Sequence, residues 1–543
     1  MKNSGNWLHE VSKEAANQNL VEFHYIRYVG EEIEARYVIH EMGSVVEIRD
    51  DFGKGFLLRT KAENKIYTIW IPENPKTIAF DDNERIVTTK WSPVHAGWSF
   101  YPEISLHVNG TLGKDESICA IYLKIEDPDA VIFSELQTTD ETESKRYLKS
   151  EWFDVRNPSD FWNYYINGNI YDPRADSSIE KKFKSQQCAF AWWGYFEMLS
   201  QSTGKKIYSL LQNEVARSVA TDFENHGPWQ HGYWFESMEI HLRFYLDGVH
   251  LMISQYEKSR DTYWLEIAKS AMNYVTDNLT DEFDNGNVWF LHDSIEDKRK
   301  HQIHSTIFGK SPHNSLCINT HVQALCVLQR LKAYDDNDKY KKSYDSGLKA
   351  LLQVLEHQPP QFYFRLLEKY LLYSENRKIE TKSSLRKGSI SFQRFTLHKL
   401  YWKIMKKYPG LVYPCGFIER DLSLGMISRR YHIINIKDLL ILYEGDPIEG
   451  LLPYIEKGVE FIENDFKIRP LEKYLLESPY FIEYQDILQL YDKLVAKKSS
   501  SELENCEKTI INTLGGVSLD SYAKYIPFKE SMEEHLSGVK NNY

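Results

Sequence analysis

The amino-acid sequence predicts an α+β multidomain protein, in which an N-terminal antiparallel β-rich domain precedes an α/α toroid, an incomplete (α/α)6-like barrel. Three observations support this fold class. Short runs rich in β-branched and aromatic residues fill the chain from about residue 21 to 150. Helical periodicity dominates beyond about residue 155. A chain of 543 residues is also too long for one ordinary hydrophobic core.

The predicted strands lie between turn signals such as DDFGKG, PENPK and VNGTLG. β-Branched and aromatic residues suit a pleated, half-buried surface, whereas Gly, Pro, Asn and Asp supply the turns. This spacing predicts an antiparallel sandwich or folded sheet. The predicted strands are residues 21–29, 34–42, 55–60, 65–72, 103–110 and 117–125.

The helical part repeats apolar residues at i, i+3, i+4 and i+7, as in TYWLEIAKSAMNYV. About eleven helices in antiparallel succession, with functional loops at one end, are typical of an α/α toroid. The predicted helices are 186–202, 205–223, 235–258, 263–279, 316–334, 339–356, 362–373, 392–407, 431–443, 447–464 and 480–496.

These patterns divide the chain into four parts. We expect an N-terminal segment (1–20), the β-rich domain (21–154), the α/α toroid as the domain that carries the activity (155–496) and a polar C-terminal tail (497–543). The tail either packs on the body or mediates association, so a homodimer is one oligomeric state that we consider.

Composition limits the class of partner. The chain has 66 Lys and Arg against 78 Asp and Glu, a net charge of −12, which argues against a nucleic-acid partner because phosphate binding needs a basic face. The aromatic content of 14% fits either a sugar-binding cleft, where rings stack on sugar faces, or an aromatic-rich helical core.

The six cysteines are scattered and form no CxxC pair, so we expect reduced thiols, no metal site and no cofactor. The N-terminus lacks an apolar signal region, and no run of about 18 apolar residues occurs. The sequence therefore predicts no membrane span and a cytoplasmic location.

The segment from Val412 to Leu442 carries the strongest functional signal. Tyr413 and Tyr431 stand 18 positions apart, and Arg420, Arg429, Arg430 and His432 lie close to them in sequence. Tyr431 begins a predicted helix, whose N-terminus carries partial positive charge that favours a phenolate base. Guanidinium groups suit a substrate carboxylate. The alternative is that both rings are core packing and the arginines are solvated.

This segment resembles the C-terminal tyrosine-bearing segment of D-glucuronyl C5-epimerases. In that family a loop tyrosine precedes a second tyrosine followed by His, and a helix with a leucine run comes next. The resemblance covers roughly residues 248–350 and 410–445. The matching residues are Tyr256, Asp261, Leu265, Ala268, Pro312, Asn319, Leu325, Tyr413, Leu424, Gly425, Tyr431, His432, Leu439 and Leu440.

The resemblance implies Tyr413 and Tyr431 as the acid and base groups that invert C5 of a uronate in a glycosaminoglycan-type polysaccharide such as heparosan. Arg429, Arg430 and His432 would bind or orient the carboxylate, and Asn319 would contact the substrate. Where the family has an Arg-His pair after the first tyrosine, this chain has Gly416 and Phe417, and Arg420 is the nearby basic residue.

A second candidate region is the loop ENHGPWQHGYWFES. It contains Trp229, His231, Tyr233 and Trp234, which suit sugar binding at the mouth of a toroid. The alternative is a loop that plugs into the core. Both interpretations stay open from the sequence.

The leading hypothesis is thus an isomerase on an acidic polysaccharide. Removal of H5 is shared with β-elimination, so a polysaccharide lyase is an alternative, and elimination depends on a well-placed acid. Asp247 and Asp293 are a candidate carboxylate pair for a glycoside hydrolase. A non-catalytic glycan-binding or scaffold protein of polysaccharide biosynthesis is a third alternative.

Overall fold

A computed structural model describes residues 2–126 with short gaps, 135, 148–149, 154–155, 186–296 except 234–237, 307–358, 383–423 except 408–409, and 429–468. Its residues cluster into two compact units. The first unit comprises 1–238 and 250–264, and the second comprises 239–249 and 265–543. The domain boundaries expected from the sequence, at residues 20, 154 and 496, stay predictions.

The first unit contains a nine-stranded antiparallel sheet and a three-stranded sheet. The larger sheet has the order β1-β2-β3-β12-β7-β6-β5, with β8 joining β12 to β9, and the smaller has the order β10-β11-β4. Its strands are β1 Lys2–Ser4, β2 Trp7–Ala16, β3 Asn19–Tyr28, β4 Glu34–His40, β5 Val45–Phe52, β6 Gly55–Ala62, β7 Lys65–Ile71, β8 Lys76–Phe80, β9 Ile86–Trp91, β10 Ala96–Ser99, β11 Ile104–Asn109 and β12 Glu116–Ile125.

One apolar core joins the two sheets. Ile26, Leu58 and Ile69 from the larger sheet and Leu106 and Val108 from the smaller sheet are all fully buried in a single cluster. Alternating strand positions place one apolar face of each sheet toward the other, which is how a β-sandwich excludes water. The β-rich N-terminal region of the chain is confirmed.

The sheet begins earlier than the sequence indicated. Strand β2 lies within the predicted N-terminal segment 1–20 and pairs with β3 from Trp7 opposite Tyr28 to Ala16 opposite Asn19. Its sequence, WLHEVSKEAA, is rich in Glu, Lys and Ala, which are poor strand formers. The hydrogen-bond ladder with β3 and the burial of Trp7 decide its conformation.

The helical region is also confirmed. Its helices are α1 Gln186–Thr203, α2 Lys206–His226, α3 Leu242–Ser259, α4 Thr262–Asn278, α5 Ile318–Lys332, α6 Asp338–Leu355, α7 Ser384–Lys407, α8 Arg429–Gly445 and α9 Leu452–Ile468. Two short hairpin strands, Thr280–Glu282 and Val288–Phe290, follow α4. A closed toroid stays a prediction.

One predicted helix start is wrong. The periodic pattern suggested a helix from residue 235, but Met238–Glu239 is extended and α3 begins at Leu242. The extended stretch runs into an isolated bridge between His241 and Asp293, which removes these residues from the helix. The predicted helices 362–373 and 480–496 and the tail 497–543 lie outside the described residues.

Helix α5 occupies the interior of the second unit. It packs against α6 and α8, and α8 packs against α9. Every residue of α5 from Ile318 to Leu328 is buried, including Asn319, His321 and Gln323. Polar groups buried in this way need partners, so the contacts of α5 mark where a functional site can lie.

No helix among the residues that the structure describes is long and apolar enough to cross a membrane.

Candidate active site

Two arginines meet the first turn of α5. The carbonyl oxygen of Arg420 accepts a hydrogen bond from the Ile318 amide at 2.9 Å. Nη1 of Arg243, one residue into α3, donates to the Asn319 carbonyl oxygen at 3.0 Å. No side chain caps this helix, so its partial positive charge adds to that of the arginines. The arrangement favours an anionic ligand or an anionic transition state.

Arg243 is held by a carboxylate from α8. Its Nη1 donates to Oδ2 of Asp438, and its Nη2 donates to Oδ1 at 3.3 Å. Gln323 Nε2 donates to the same Oδ1 at 2.9 Å. The Asp438 side chain is 2% exposed and that of Arg243 is 18% exposed. The pair is largely buried, and part of the Arg243 side chain remains exposed.

Asp247 lies one helical turn after Arg243 on α3. Its Oδ2 atom is buried and has no hydrogen-bond partner among the described residues. Burial raises the pKa of this carboxyl to about 7, the charge of Asp438 adds to the rise, and Arg243 opposes it. A carboxylic acid that holds its proton near neutral pH can act as a proton donor.

The second arginine is paired with Tyr431. Arg420 Nη1 donates to the Tyr431 hydroxyl oxygen at 3.1 Å, and the guanidinium carbon lies 4.7 Å from the ring centroid. Nε of Arg420 donates to Asp421 Oδ2 at 2.5 Å. Asp421 also accepts from the Ser423 amide at 2.7 Å. The Arg420 side chain is 19% exposed, so this pair also reaches solvent.

Cys317 and Asn319 connect the two arginine pairs. The Cys317 thiol donates to Asn319 Oδ1 at 2.9 Å, while the Asn319 carbonyl binds Arg243. Burial raises the pKa of the Cys317 thiol to about 12, and the nearby charge of Arg420 opposes the rise. The contacts therefore form one continuous set, which we name the two-arginine cluster. Its members are Arg243, Asp247, Cys317, Asn319, Gln323, Arg420, Asp421, Tyr431 and Asp438.

Backbone strain accompanies the cluster. Leu316, which precedes Cys317, has φ of 55°, and its amide is held by Asn314 Oδ1 at 2.9 Å. The left-handed conformation costs a residue with a Cβ atom about 1–2 kcal/mol. Strain of this kind concentrates at functional sites, where the surrounding structure enforces it.

Tyr413 packs in an apolar environment. Its side chain is 1% exposed and belongs to an apolar cluster with Phe417, Cys415 and Phe461. Its amide donates to the Phe417 carbonyl at 2.8 Å, which closes a tight turn. The paired-tyrosine arrangement stays a prediction.

The turn explains why Gly416 stands where the resembling family has arginine. Gly416 has φ of 92°, a conformation that side chains rarely adopt. A Cβ atom here would lie 1.9 Å from the Lys457 carbonyl oxygen. Only glycine fits at this position.

His432 is committed to structural contacts. Its Nδ1 accepts from the Ile418 amide at 2.9 Å and its Nε2 donates to the Gly458 carbonyl at 3.0 Å. The ring is buried and stacks on Phe417. These contacts fix the neutral tautomer, so His432 orients the turn against α8 and α9.

The remaining predicted residues divide between the two units. Asn319 is buried inside the two-arginine cluster. Arg429 and Arg430 begin α8, but their side chains lie outside the described residues, as do that of Tyr233 and the whole of Trp234.

Trp229 and His231 are buried in the first unit. Trp229 Nε1 donates to the Val219 carbonyl at 3.1 Å, and His231 Nε2 lies 2.7 Å from Gln186 Oε1. This placement agrees with the alternative in which the loop packs into the core.

Sequence reasoning did not select Arg243, Gln323, Asp421 or Asp438, and it named Asp247 only as one half of a carboxylate pair with Asp293. A usable signal exists for most of them. Arg243 and Asp247 are four residues apart in HLRFYLDG, and Asp438 interrupts the apolar run of INIKDLLIL. A charge on the apolar stripe of a helix predicts a buried partner.

No protein-family model matches the chain, and no curated protein matches it. Solved structures show weak likeness. A polysaccharide lyase is 12% identical over 51% of this chain and 59% of its own, with a TM-score of 0.30. A family 105 glycoside hydrolase of C. acetobutylicum is 13% identical over 50% of this chain and 62% of its own, with a TM-score of 0.30.

A cellobiose 2-epimerase from Bacillus thermoamylovorans is 12% identical over 52% of this chain and 76% of its own, with a TM-score of 0.26. The three neighbours are carbohydrate-active enzymes by name. This chain spans about 60% of the lyase and the hydrolase. At these TM-scores the likeness carries no argument about function, which depends on the site.

Proposed function

We propose that this chain is a carbohydrate-active enzyme that moves the C5 proton of a uronic acid within a polysaccharide, with Tyr431 as the acid–base group. The observation that carries the proposal is the hydrogen bond from Arg420 Nη1 to the Tyr431 hydroxyl oxygen at 3.1 Å. A guanidinium aimed at a phenol oxygen places a positive charge beside the atom that would exchange the C5 proton.

Removal of the C5 proton needs two groups on the enzyme, a base and a source of positive charge. H5 lies α to a carboxylate, so its removal needs a base on one face and positive charge at the carboxylate, where an enediolate-like dianion develops. Tyr431 provides the base. Among the described residues Nη2 of Arg420 makes no hydrogen bond, and Arg243 keeps solvent access, so both arginines have donors for a carboxylate.

The other predicted residues have supporting roles, in positioning the arginines or in binding the substrate. Asn319 positions Arg243 through its carbonyl oxygen and contacts Cys317 through its side chain. Arg429 and Arg430, at the start of α8, are further candidates for the substrate carboxylate. Tyr413 is the candidate for the opposite face, and its burial makes it the weaker of the two tyrosines.

The test uses a heparosan-like polymer in deuterated water. We expect wild-type protein to incorporate deuterium at C5, measured by proton NMR. Tyr431→Phe should lower the rate by about 100-fold or more, because a positioned acid–base group contributes about 10²–10⁴-fold. Tyr443→Phe, on the same helix α8, is the matched control and should exchange at the wild-type rate.

Two results discriminate further. Undiminished exchange in Tyr431→Phe would reject Tyr431 as the base. Tyr413→Phe measures whether a second tyrosine takes part. Binding of the polymer without exchange and without cleavage in wild-type protein would favour the glycan-binding alternative over any enzyme.

A further inference from the structure

We propose that Asp247 gives its proton to a departing glycosidic oxygen at C4 of the uronate, so that this site also carries out β-elimination. This inference rests on the proposed function, because elimination and epimerisation begin with removal of the same C5 proton. It adds an activity, chain cleavage, and an acid to carry it.

The first observation is a carboxyl oxygen without a partner. Oδ2 of Asp247 is buried and makes no hydrogen bond with the residues that the structure describes, although the residue as a whole is only half-buried. Leaving such a group unsatisfied costs about 1–3 kcal/mol. An oxygen in this state gains a hydrogen bond when a ligand group reaches it.

The second observation is that Arg243 does not neutralise Asp247. Two nitrogens of the guanidinium bind Asp438, and Nη1 also binds the Asn319 carbonyl. Asp438 is therefore the ionised member of the pair, and its charge disfavours ionisation of Asp247. Two carboxyl groups held in different protonation states by their surroundings are suited to acid catalysis.

The third observation is the connection to Tyr431. Arg243 and Arg420 contact consecutive residues of α5, Asn319 and Ile318, and Cys317 lies close enough to Arg420 to be affected by its charge. The acid and the base thus belong to one contiguous cluster, on α3 and α8 respectively.

In the elimination step one proton is removed from C5 and one proton is given to the departing oxygen. Tyr431 as phenolate takes the proton from C5, the electron pair forms the C4–C5 double bond, and the C4–O bond breaks. The departing oxygen takes the Asp247 proton and becomes the hydroxyl at the new reducing end of the released fragment, while the other fragment begins with the unsaturated uronate. Asp247 is left ionised and Tyr431 protonated, and proton exchange with water restores both, so no co-reactant is consumed.

The experiment compares wild-type protein with Asp247→Asn on the same uronate polymer. Two signals are read in parallel, deuterium at C5 and the ultraviolet absorbance of the unsaturated uronate. We expect Asp247→Asn to lower the absorbing product by about 100-fold or more, and by at least about tenfold more than it lowers deuterium incorporation. Asp277→Asn, on the exposed surface of α4, is the control and should leave both signals unchanged.

The outcomes separate the two proposals. Deuterium incorporation without unsaturated product in wild-type protein overturns the inference and leaves the proposed function standing. Undiminished product in Asp247→Asn also overturns it. The absence of both signals rejects the proposed function and the inference with it.

The pH dependence of product formation distinguishes an acid role of Asp247 from a purely structural role, which would not change it. The acid must be protonated, so formation of unsaturated product should decline as pH rises through about 7. Deuterium incorporation should not show this decline. Asp247→Glu, which retains an acid, should recover part of the product that Asp247→Asn loses.

Discussion

At the scale of single residues, the interior of the second unit is organised by charge. Arg243 and Asp438 come from helices that are almost 200 positions apart in sequence, and their hydrogen bonds fix α3 against α8 beside α5. Burial of either charge alone would be costly, so each is tolerated because of the other. Stability and the candidate site therefore depend on the same contacts.

Asp438→Asn tests this dependence. The variant keeps an acceptor for Gln323 but leaves the Arg243 charge unpaired, and breaking a buried pair costs about 3–5 kcal/mol. Urea unfolding should show a loss of that order. Asp277→Asn removes a surface carboxylate that pairs with Lys339 and should change the unfolding free energy by less than about 1 kcal/mol. Equal effects of the two variants would contradict a buried, paired Asp438.

The proton on Asp247 gives a stability prediction independent of any substrate. Its pKa is raised from 3.8 to about 7, so between these values the folded state holds a proton that the unfolded state has released. The stability contribution of Asp247 is therefore present below pH about 4 and is lost as pH rises to about 7, at about 1.4 kcal/mol per pH unit. The Asp247→Asn variant cannot ionise at this position, so its stability should not fall over this pH range on account of residue 247.

Unfolding of both proteins at pH 4.5 and 7.5 measures this effect. We expect the stability of Asp247→Asn relative to wild type to be greater at pH 7.5 than at 4.5. A difference that does not change with pH would mean that Asp247 ionises normally in the folded protein.

At the scale of elements, turns and helix ends place the site. The turn at Gly416 directs the chain so that Arg420 reaches Tyr431, and His432 fastens this turn to Gly458 of α9.

Helix α7 differs from the others. Its apolar side chains Leu385, Phe392 and Phe395 are exposed, and Gly388 lies in its first two turns.

Gly416→Ala tests the turn. The added methyl group would meet the Lys457 carbonyl oxygen, and φ is in the left-handed region, so we expect a loss of more than about 2 kcal/mol in urea unfolding. Gly388→Ala is the control, because a Cβ there meets nothing within 4 Å and alanine favours a helix by about 1 kcal/mol. A tolerated Gly416→Ala would mean that the turn has another conformation.

At the scale of the whole molecule, two separate interiors shield different cysteines. Cys119 is buried in the first unit, Cys317 and Cys326 are buried in the second, and Cys415 is partly exposed. Burial raises the pKa of the Cys119 thiol to about 11 and that of Cys326 further still. Thiolate, the reactive form, is scarce in such surroundings.

Alkylation of the native protein, followed by peptide mass spectrometry, checks this arrangement. Of these four cysteines Cys415 should react first, and the other three only on unfolding. Rapid native labelling of Cys119 would contradict the β-rich core, and rapid labelling of Cys326 would contradict the burial of α5.

The sequence by itself determined the order of the chain, strands first and helices afterwards, because periods of two and of 3.6 residues are local properties. It also selected Tyr431 and Arg420, because they lie at a predicted helix start and in the loop before it, and the family resemblance selected Asn319. Only the tertiary structure decided that Tyr413 is buried, that Gly416 needs its positive φ, and that Arg243, Asp247 and Asp438 meet. Those properties depend on which distant segments exclude water from a side chain, and no local pattern contains that information.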